Sequence, residues 1–302
     1  MSWLDAACRL IERRTATPAQ LGRSSSLSGG SINDARLLEL EDGRRFFVKS
    51  QPGGGSDVFE REAEGLEALR RATASIDGLY VPAVIGHGEA DGRSFLVLEA
   101  IETGRGSASL HVDFGRALAD MHRVETHWDS AIERYGFAHD NYLGATPQPN
   151  AWNDDWVDFW RQHRLGDQLE RARRAGLADR ILDRLGDRLL DRLAEFLPSQ
   201  PEASLLHGDL WSGNYLVDAR GRAVLIDPAA YYGHREAEIA MTRLFGGFPS
   251  DFERGYQEAW PFEPGSGERL LIYELHHLLN HLNLFGRGYL GSCHSHLQQL
   301  VG

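Results

Sequence analysis

Residues 205–218 read LLHGDLWSGNYLVD and residues 223–238 read AVLIDPAAYYGHREAE. Each stretch opens on a short apolar run of strand character, and the two flank a polar turn, which sets Asp209, Asn214 and Asp227 at strand ends. Strand ends converging on one point can hold three oxygen donors. Phosphoryl transfer needs such a set: Asp209 to orient and deprotonate an attacking hydroxyl, and Asn214 with Asp227 to hold Mg2+ on the nucleotide phosphates. The alternative for H-G-D-x-x-x-x-N is a loop of solvated polar residues. The correctly spaced Ile226-Asp227 pair downstream favours the catalytic reading.

Upstream, Ser28-Gly29-Gly30-Ser31 lies between two strand-like segments. Absent or small side chains at Gly29, Gly30 and Ser31 would let backbone N–H groups approach phosphates. Lys49 ends the apolar strand FFV, and Glu62 follows on the next helix. A strand lysine paired with a helix glutamate aims its ammonium at the α- and β-phosphates of a nucleotide. The same helix carries Glu60, Glu64 and Glu67; Glu62 is preferred because it lies four before Leu66, on the sheet-facing side, with Glu60 as the alternative.

From Ser24 to Ile101 the pattern is strand-rich, with hairpin turns at Asp42-Gly43 and Asp91-Gly92, and it contains one helix on which Val58, Ala63, Leu66 and Leu69 recur near helical spacing. The connector ETGRGSASL, residues 102–110, ends this part. Beyond it the periodicity is mainly helical. In 161–197 a Leu/Arg texture that keeps no strict heptad reads as a solvated face over a bundle core. The expectation is an α+β fold of two lobes: residues 1–101, a small antiparallel sheet with one inserted helix for the nucleotide, and residues 102–302, a larger mainly helical lobe with the catalytic loop, metal ligands and substrate pocket.

Composition agrees with two lobes. A chain of 302 residues is about twice the length that suits one core. Its 42% apolar and 25% charged residues are those of an ordinary globular protein, and a formal net charge of -12 disfavours nucleic-acid and anionic-membrane partners. The two cysteines, Cys8 and Cys293, form no metal or disulfide pattern, which fits a reducing, cytoplasmic compartment. The N-terminus lacks the design of a secretory signal, and no stretch approaches the ~18 apolar residues of a membrane span.

The order of glycine turn, strand lysine, helix glutamate, connector, H-G-D-x-x-x-x-N and I-D-P is that of the protein-kinase-like fold. More narrowly, the chain resembles the fructosamine kinase (ketosamine-3-kinase) family, a relative of the aminoglycoside phosphotransferases. The carriers are SGGSINDAR, YGFAHDNYLGATPQPN, HGDLWSGN, IDPAAYYGHREAEIAMTRLFGGF and HHLLNHLNLFGRGY, which run from Ser28 to Tyr289. The resemblance implies ATP-dependent phosphorylation of the 3-hydroxyl of a ketosamine, a sugar joined to an amine through C1, either as a small molecule or on glycated protein. Phosphorylation would make the sugar-amine bond labile, a deglycation repair. It also implies that main-chain groups of Glu99 and Ile101 receive the adenine. Other readings are a kinase of an aminoglycoside or amino alcohol, and a nucleotide-binding pseudokinase scaffold; the presence of Lys49, Glu62, Asp209, Asn214 and Asp227 argues against the scaffold.

Gly208 stands where protein kinases have an arginine, Pro228 follows Asp227, and no A-P-E motif occurs downstream, so a phosphorylation-switched peptide platform is not expected. Pro228 should restrict Asp227 to one backbone setting. For the sugar, the candidates are Trp211, beside Asp209, and the rim of Tyr231, Tyr232, His234, Arg235 and Glu236, about half of it structural, with a salt bridge of Arg235 or Glu236 fixing the loop. On the C-terminal helix His277, Asn280 and His281 form a polar stripe beside the leucines 275, 278, 279 and 282. Asn280 and His281 are read as pocket lining; Leu278 stands where a metalloprotease helix has its glutamate, which disfavours zinc.

Overall fold

The computed structural model describes residues 2–27, 34–53, 57–124 and 134–302. Helix α1 (Trp3–Thr15) precedes strands β1 (Leu21–Ser26), β2 (Asp34–Leu40) and β3 (Arg45–Pro52); helix α2 (Val58–Ala72) is followed by β4 (Leu79–Tyr80), β5 (Val84–Ala90) and β6 (Arg93–Glu99). Five of these strands form an antiparallel sheet in the order β1-β2-β3-β6-β5. The turn at Asp91-Gly92 has φ of 54° and 67°, the two left-handed settings of a two-residue hairpin, and Ala90 pairs Arg93 across it.

Side chains alternate across this sheet. Phe46, Val48, Phe95 and Val97 face α1, whose Ala7, Cys8 and Ile11 close one core over them. Leu96 and Leu98 face the other way, onto Phe59, Leu66 and Leu69 of α2, and that core continues without a break into the helical part of the chain. Each of these α2 side chains, fully buried, contributes roughly 1.5–3 kcal/mol. The strand-rich reading of residues 24–101 leaves out α1, although Ser2 and Asp5 form a capping box at its start.

The helical part contains α3 (Leu110–His122), the hairpin β7 (Asn141–Leu143) and β8 (Thr146–Gln148), then α4 (Trp156–Trp160), α5 (Gly166–Arg174) and α6 (Arg180–Phe196). Strands β9 (Ala203–Leu206), β10 (Tyr215–Val217), β11 (Ala223–Leu225) and β12 (Tyr231–His234) carry the 205–238 stretch, and helices α7 (Glu236–Arg243), α8 (Ser250–Ala259), α9 (Ser266–Phe285) and α10 (Leu290–Val301) complete the chain. On α6 only one stripe, Leu182, Leu185, Leu189 and Leu193, is buried, as expected of a solvated Arg/Asp face. Strand β11 pairs antiparallel with β10 and parallel with β4, and β12 pairs with β9, so the short strands brace one another around residues 207–214 and 226–230. Among the described residues no helix is long and apolar enough to cross a membrane.

The core of the helical part contains neutral histidines. Burial, with help from His281 beside the first and Arg269 beside the second, depresses the pKa values of His277 and His234 to about 3. An unfolded histidine titrates near 6.5. Between these values the unfolded chain holds a proton that the folded chain does not, so each group's contribution to stability is lost as pH falls below 6.5. Glu62 and Asp209, whose pKa values are raised, act in the opposite sense, so the histidine effect is best isolated by difference. His277→Asn should flatten the dependence of unfolding free energy on pH between 6 and 5 by about 1 kcal/mol per pH unit, measured by urea unfolding against the wild type. Parallel curves for the two proteins would contradict a neutral buried His277.

Candidate functional site

Alternation along β3 decides where Lys49 goes. With Val48 facing α1, Lys49 faces α2, and it pairs across the sheet with Leu96. Its Nζ lies 2.7 Å from Glu62 Oε1 and also hydrogen-bonds Asp227 Oδ1. Burial alone would pull the Lys49 pKa down; the charges of Glu62 and Asp227 outweigh it and hold the ammonium above its ordinary value. The other glutamates of α2 are occupied elsewhere: Glu60 and Glu64 meet Arg61 at 3.2 and 2.8 Å, and Glu67 lies 3.6 Å from Arg70. Glu62 is therefore the partner of Lys49, and Glu60 is not.

The loop between β9 and β10 is fastened through its backbone. Asn214 Nδ2 donates to the Asp209 carbonyl at 2.8 Å and to Asp209 Oδ2 at 3.1 Å, which leaves Asn214 Oδ1 and Asp209 Oδ1 without a partner among the described residues. His207 is buried, and burial lowers its pKa. Its Nδ1 accepts from the Asp209 N–H at 3.3 Å and its Nε2 donates to the Ile226 carbonyl at 2.8 Å, so one neutral tautomer links the two segments. Gly208 has φ of 81°, and a Cβ there would stand 2.1 Å from the Ala229 carbonyl oxygen. An arginine cannot occupy this position in this loop.

Beneath the loop lies Glu238 of α7, fully buried. Its carboxylate accepts the backbone N–H of His207 and, at 3.2 Å, that of Gly208. Burial would raise its pKa, but His122 at 3.9 Å and the donated N–H groups hold it below the ordinary carboxylate value. His122 Nδ1 in turn meets the Tyr256 hydroxyl at 2.8 Å. Neither Glu238 nor His122 stood out in the sequence. The available signal was a charged residue inside the apolar run of α7, but Glu236 two residues earlier gives the same signal and does a different job: it forms a buried two-pronged pair with Arg269 of α9 at 2.7 and 2.8 Å. The salt bridge expected of Arg235 or Glu236 is thus made by Glu236, while the Arg235 guanidinium lies 4.1 Å over the Trp260 ring.

Asp227 takes a left-handed φ of 57°, a setting that aspartate tolerates better than most residues. The backbone is pinned on both sides, by Ile226 N–H to the Asn214 carbonyl at 3.1 Å and Ala229 N–H to the His207 carbonyl at 2.9 Å. Asp209 is partly buried near Asp227 and Glu238, and desolvation together with those two negative charges pushes its pKa well up.

Of the remaining candidates, Gly29, Gly30 and Ser31 lie outside the described residues. Glu99 takes the Tyr80 hydroxyl at 2.7 Å and the Ala83 N–H at 3.1 Å on its carboxylate, and its own N–H donates to the Ala83 carbonyl. The Ile101 N–H finds no acceptor among the described residues. Trp211 is 38% exposed, its ring lying over Gly213, where a Cβ would come within 2.4 Å of it. Tyr232 is buried on β12, stacked on Trp152 with ring centres 5.9 Å apart. His234 is also buried, with Nδ1 on the Tyr273 hydroxyl at 2.8 Å. The polar stripe of α9 is not an open wall. His277 and Asn280 are buried, the latter near Gln168 of α5 and the Leu143 carbonyl, and only His281 of the three is half-exposed, stacked 4.0 Å from Phe245. Trp211 and His281 keep accessible surface, whereas His234 and Asn280 are consumed by packing.

Glu62 and Asp227 thus flank the ammonium of Lys49, and Asp209 lies near Asp227 with Glu238 beneath the loop. This excess of negative charge, with hard oxygen donors on Asp227 and Asn214, fits a divalent cation of the magnesium class. The sheet, the Lys49-Glu62 pair and the two-segment acidic centre define a protein-kinase-like phosphotransferase fold. A macrolide 2'-phosphotransferase of Brachybacterium faecium shares that fold at a TM-score of 0.56 and 17% identity over 97% of both chains. A model of the fructosamine kinase family matches residues 3–302, and the chain belongs to that family. It is 42% identical to a chloroplastic protein-ribulosamine 3-kinase of Oryza sativa subsp. japonica over 90% of this chain and 76% of the relative. The crystal structure of a candidate fructosamine-3-kinase from Haemophilus somnus 129PT matches at a TM-score of 0.85 and 29% identity, covering 98% and 97% of the two chains.

Removing the Glu238 carboxylate would leave the buried N–H groups of His207 and Gly208 without an acceptor, at a cost of about 1–3 kcal/mol each. Glu238→Ala should lower the unfolding free energy by a few kcal/mol and depress turnover by loosening Asp209, whereas Glu258→Ala, an exposed carboxylate on α8, should do neither. Denaturant unfolding with matched kinetics checks both.

Proposed function

We propose that the chain is an ATP-dependent, Mg2+-using ketosamine kinase that phosphorylates the 3-hydroxyl of fructosamine or ribulosamine adducts. The observation that carries this reading is the meeting of Lys49, Asp227, Asn214 and Asp209 in one acidic centre, within a chain that belongs to the fructosamine kinase family along nearly its whole length. The named activity of the rice relative supports the substrate class.

In this reading each residue has one task. Lys49, oriented by Glu62, binds the α- and β-phosphates through its ammonium. Asp227 and the Oδ1 of Asn214 would hold Mg2+, which offsets charge on the phosphates when bound. Asn214 Nδ2 keeps Asp209 Oδ2 occupied, so Oδ1 is the atom that receives the proton of the sugar hydroxyl. As that proton moves to Asp209, the sugar oxygen forms its bond to the γ-phosphorus, the bond to the β,γ-bridging oxygen breaks, and ADP leaves. The exposed Trp211 indole offers a face for the apolar side of the sugar, and main-chain groups of Glu99 and Ile101 receive the adenine.

Incubation with Mg-ATP and synthetic ribulose-lysine or fructose-lysine should add one phosphate to the sugar, visible by mass and phosphorus NMR. Transfer to an aminoglycoside or amino alcohol instead, or to neither, would overturn the substrate class. Asp209→Asn should reduce turnover by on the order of 10²–10⁴-fold while nucleotide still binds.

A further inference from the structure

Residues 135–150 have no part in the mechanism just described, yet they touch both segments that meet at Lys49. On one side, the hairpin of β7 and β8 grips the backbone just after the metal ligand. Asn141 Nδ2 donates to the Ala230 carbonyl at 2.8 Å, and Gln148 Nε2 donates to the Ala229 carbonyl at 3.1 Å and to Asn141 Oδ1 at 2.9 Å. Both side chains are buried. The base of the hairpin is anchored in turn: Gly136 and Tyr232 exchange backbone hydrogen bonds at 3.0 and 2.8 Å, and the buried Arg164 guanidinium donates to the Pro149 carbonyl and Asn150 Oδ1.

On its other side the same hairpin reaches α2. Tyr142 donates its hydroxyl to Asp57 Oδ1 at 2.6 Å, and His139 Nδ1 lies 3.1 Å from Glu64 Oε2. Asp57 is the residue immediately before α2, where an aspartate ordinarily caps its own helix. Here its side chain makes no capping bond; the carboxylate is given to Tyr142 and, at 3.3 Å, to Arg61. The Tyr142 hydrogen bond is also the largest influence holding the Asp57 pKa below its ordinary value. About two turns further along, Gly65 lets α2 sit against Pro228 and Ala230, where an added Cβ would stand 3.3 Å from each.

We propose that the β7-β8 hairpin is a built-in strap that holds α2 against the Asp227 segment, with Tyr142 as a positioning residue that keeps Glu62 within reach of Lys49. The strap does permanently what a regulated kinase achieves through a phosphorylated loop: it sets the helix glutamate and the metal-ligand backbone relative to one another, from a single rigid element bonded to both. Asp57 has given up its cap to this bond, so the start of α2 is held by Tyr142 rather than by its own side chain.

The catalytic consequence rests on the reading of Lys49 and Glu62 as the phosphate-orienting pair, whereas the strap itself is tested without any sugar. Tyr142→Phe deletes one hydroxyl from a partly exposed side chain. In the full chain it should speed amide hydrogen exchange across 58–72 by about three- to tenfold, the factor that corresponds to loss of one hydrogen bond. It should lower kcat/KM for Mg-ATP by a similar factor and leave the KM for ketosamine unchanged. Asp57→Ala should reproduce this behaviour, Asp57→Asn should stay close to wild type by keeping an acceptor oxygen, and Tyr142→Phe combined with Asp57→Ala should be no worse than Asp57→Ala alone. Unchanged exchange in both Tyr142→Phe and Asp57→Ala would overturn the strap. So would a loss in which both substrates' KM values rise in step with a fall in Tm, because that is the mark of general destabilisation. If the wild type fails to phosphorylate ketosamines while the exchange pattern appears as stated, the substrate reading falls and the strap stands.

Discussion

The structure is organised around one buried cation. The Lys49 ammonium sits between Glu62 on α2 and Asp227 on the segment after β11, with almost no access to water. A buried lysine with no partner would be driven neutral. With two carboxylates in contact it stays charged, and the three residues come from three separate stretches of chain. Removing the ammonium would leave the Glu62 carboxylate in the interior beside Asp227 with no cation between them, a loss of several kcal/mol. The sheet, α2 and the acidic loop are therefore constrained to meet at one point, and that point is where nucleotide phosphates would be received.

Much of the remaining architecture keeps the parts from moving once they have met. Glu238 supplies a fixed buried acceptor to the backbone of His207 and Gly208, and His207 passes the constraint to Ile226 through a single tautomer. The Gly208 Cα approaches the Ala229 carbonyl so closely that no side chain fits. Gln148 and Asn141 take the carbonyls of Ala229 and Ala230. Every backbone group from 226 to 230 for which a partner is described is thus tied to a residue that is itself anchored, a rigid arrangement suited to a reaction in which catalysis is mostly positioning and electrostatic stabilisation.

The parts legible in the sequence are those fixed by local periodicity. Two-residue alternation in RRFFVKS places Lys49 opposite Val48, and the four-residue step to Leu66 favours Glu62 while leaving Glu60 open. The Asp91-Gly92 turn and the leucine stripe of α6 follow from the same rules. What escaped were residues whose role depends on a distant backbone. Glu236 and Glu238 look alike in HREAE, and only the packing of α7 shows that one meets Arg269 and the other the catalytic loop. The polar stripe at His277, Asn280 and His281 was visible as a stripe, but a polar helix face can meet a substrate pocket or another polar surface. Here Gln168 and the β7-β8 hairpin meet Asn280, and Phe245 stacks on His281.

The central claim, that Lys49 and Glu62 act as one unit on the nucleotide, is tested most directly by a double-mutant cycle read on kcat/KM for Mg-ATP. Lys49→Ala and Glu62→Ala should each impair it, and the double variant should be little worse than Lys49→Ala alone, because Glu62 works only through the ammonium it orients. Losses that add would contradict the account, since Glu62 would then act on catalysis by a route that does not pass through Lys49.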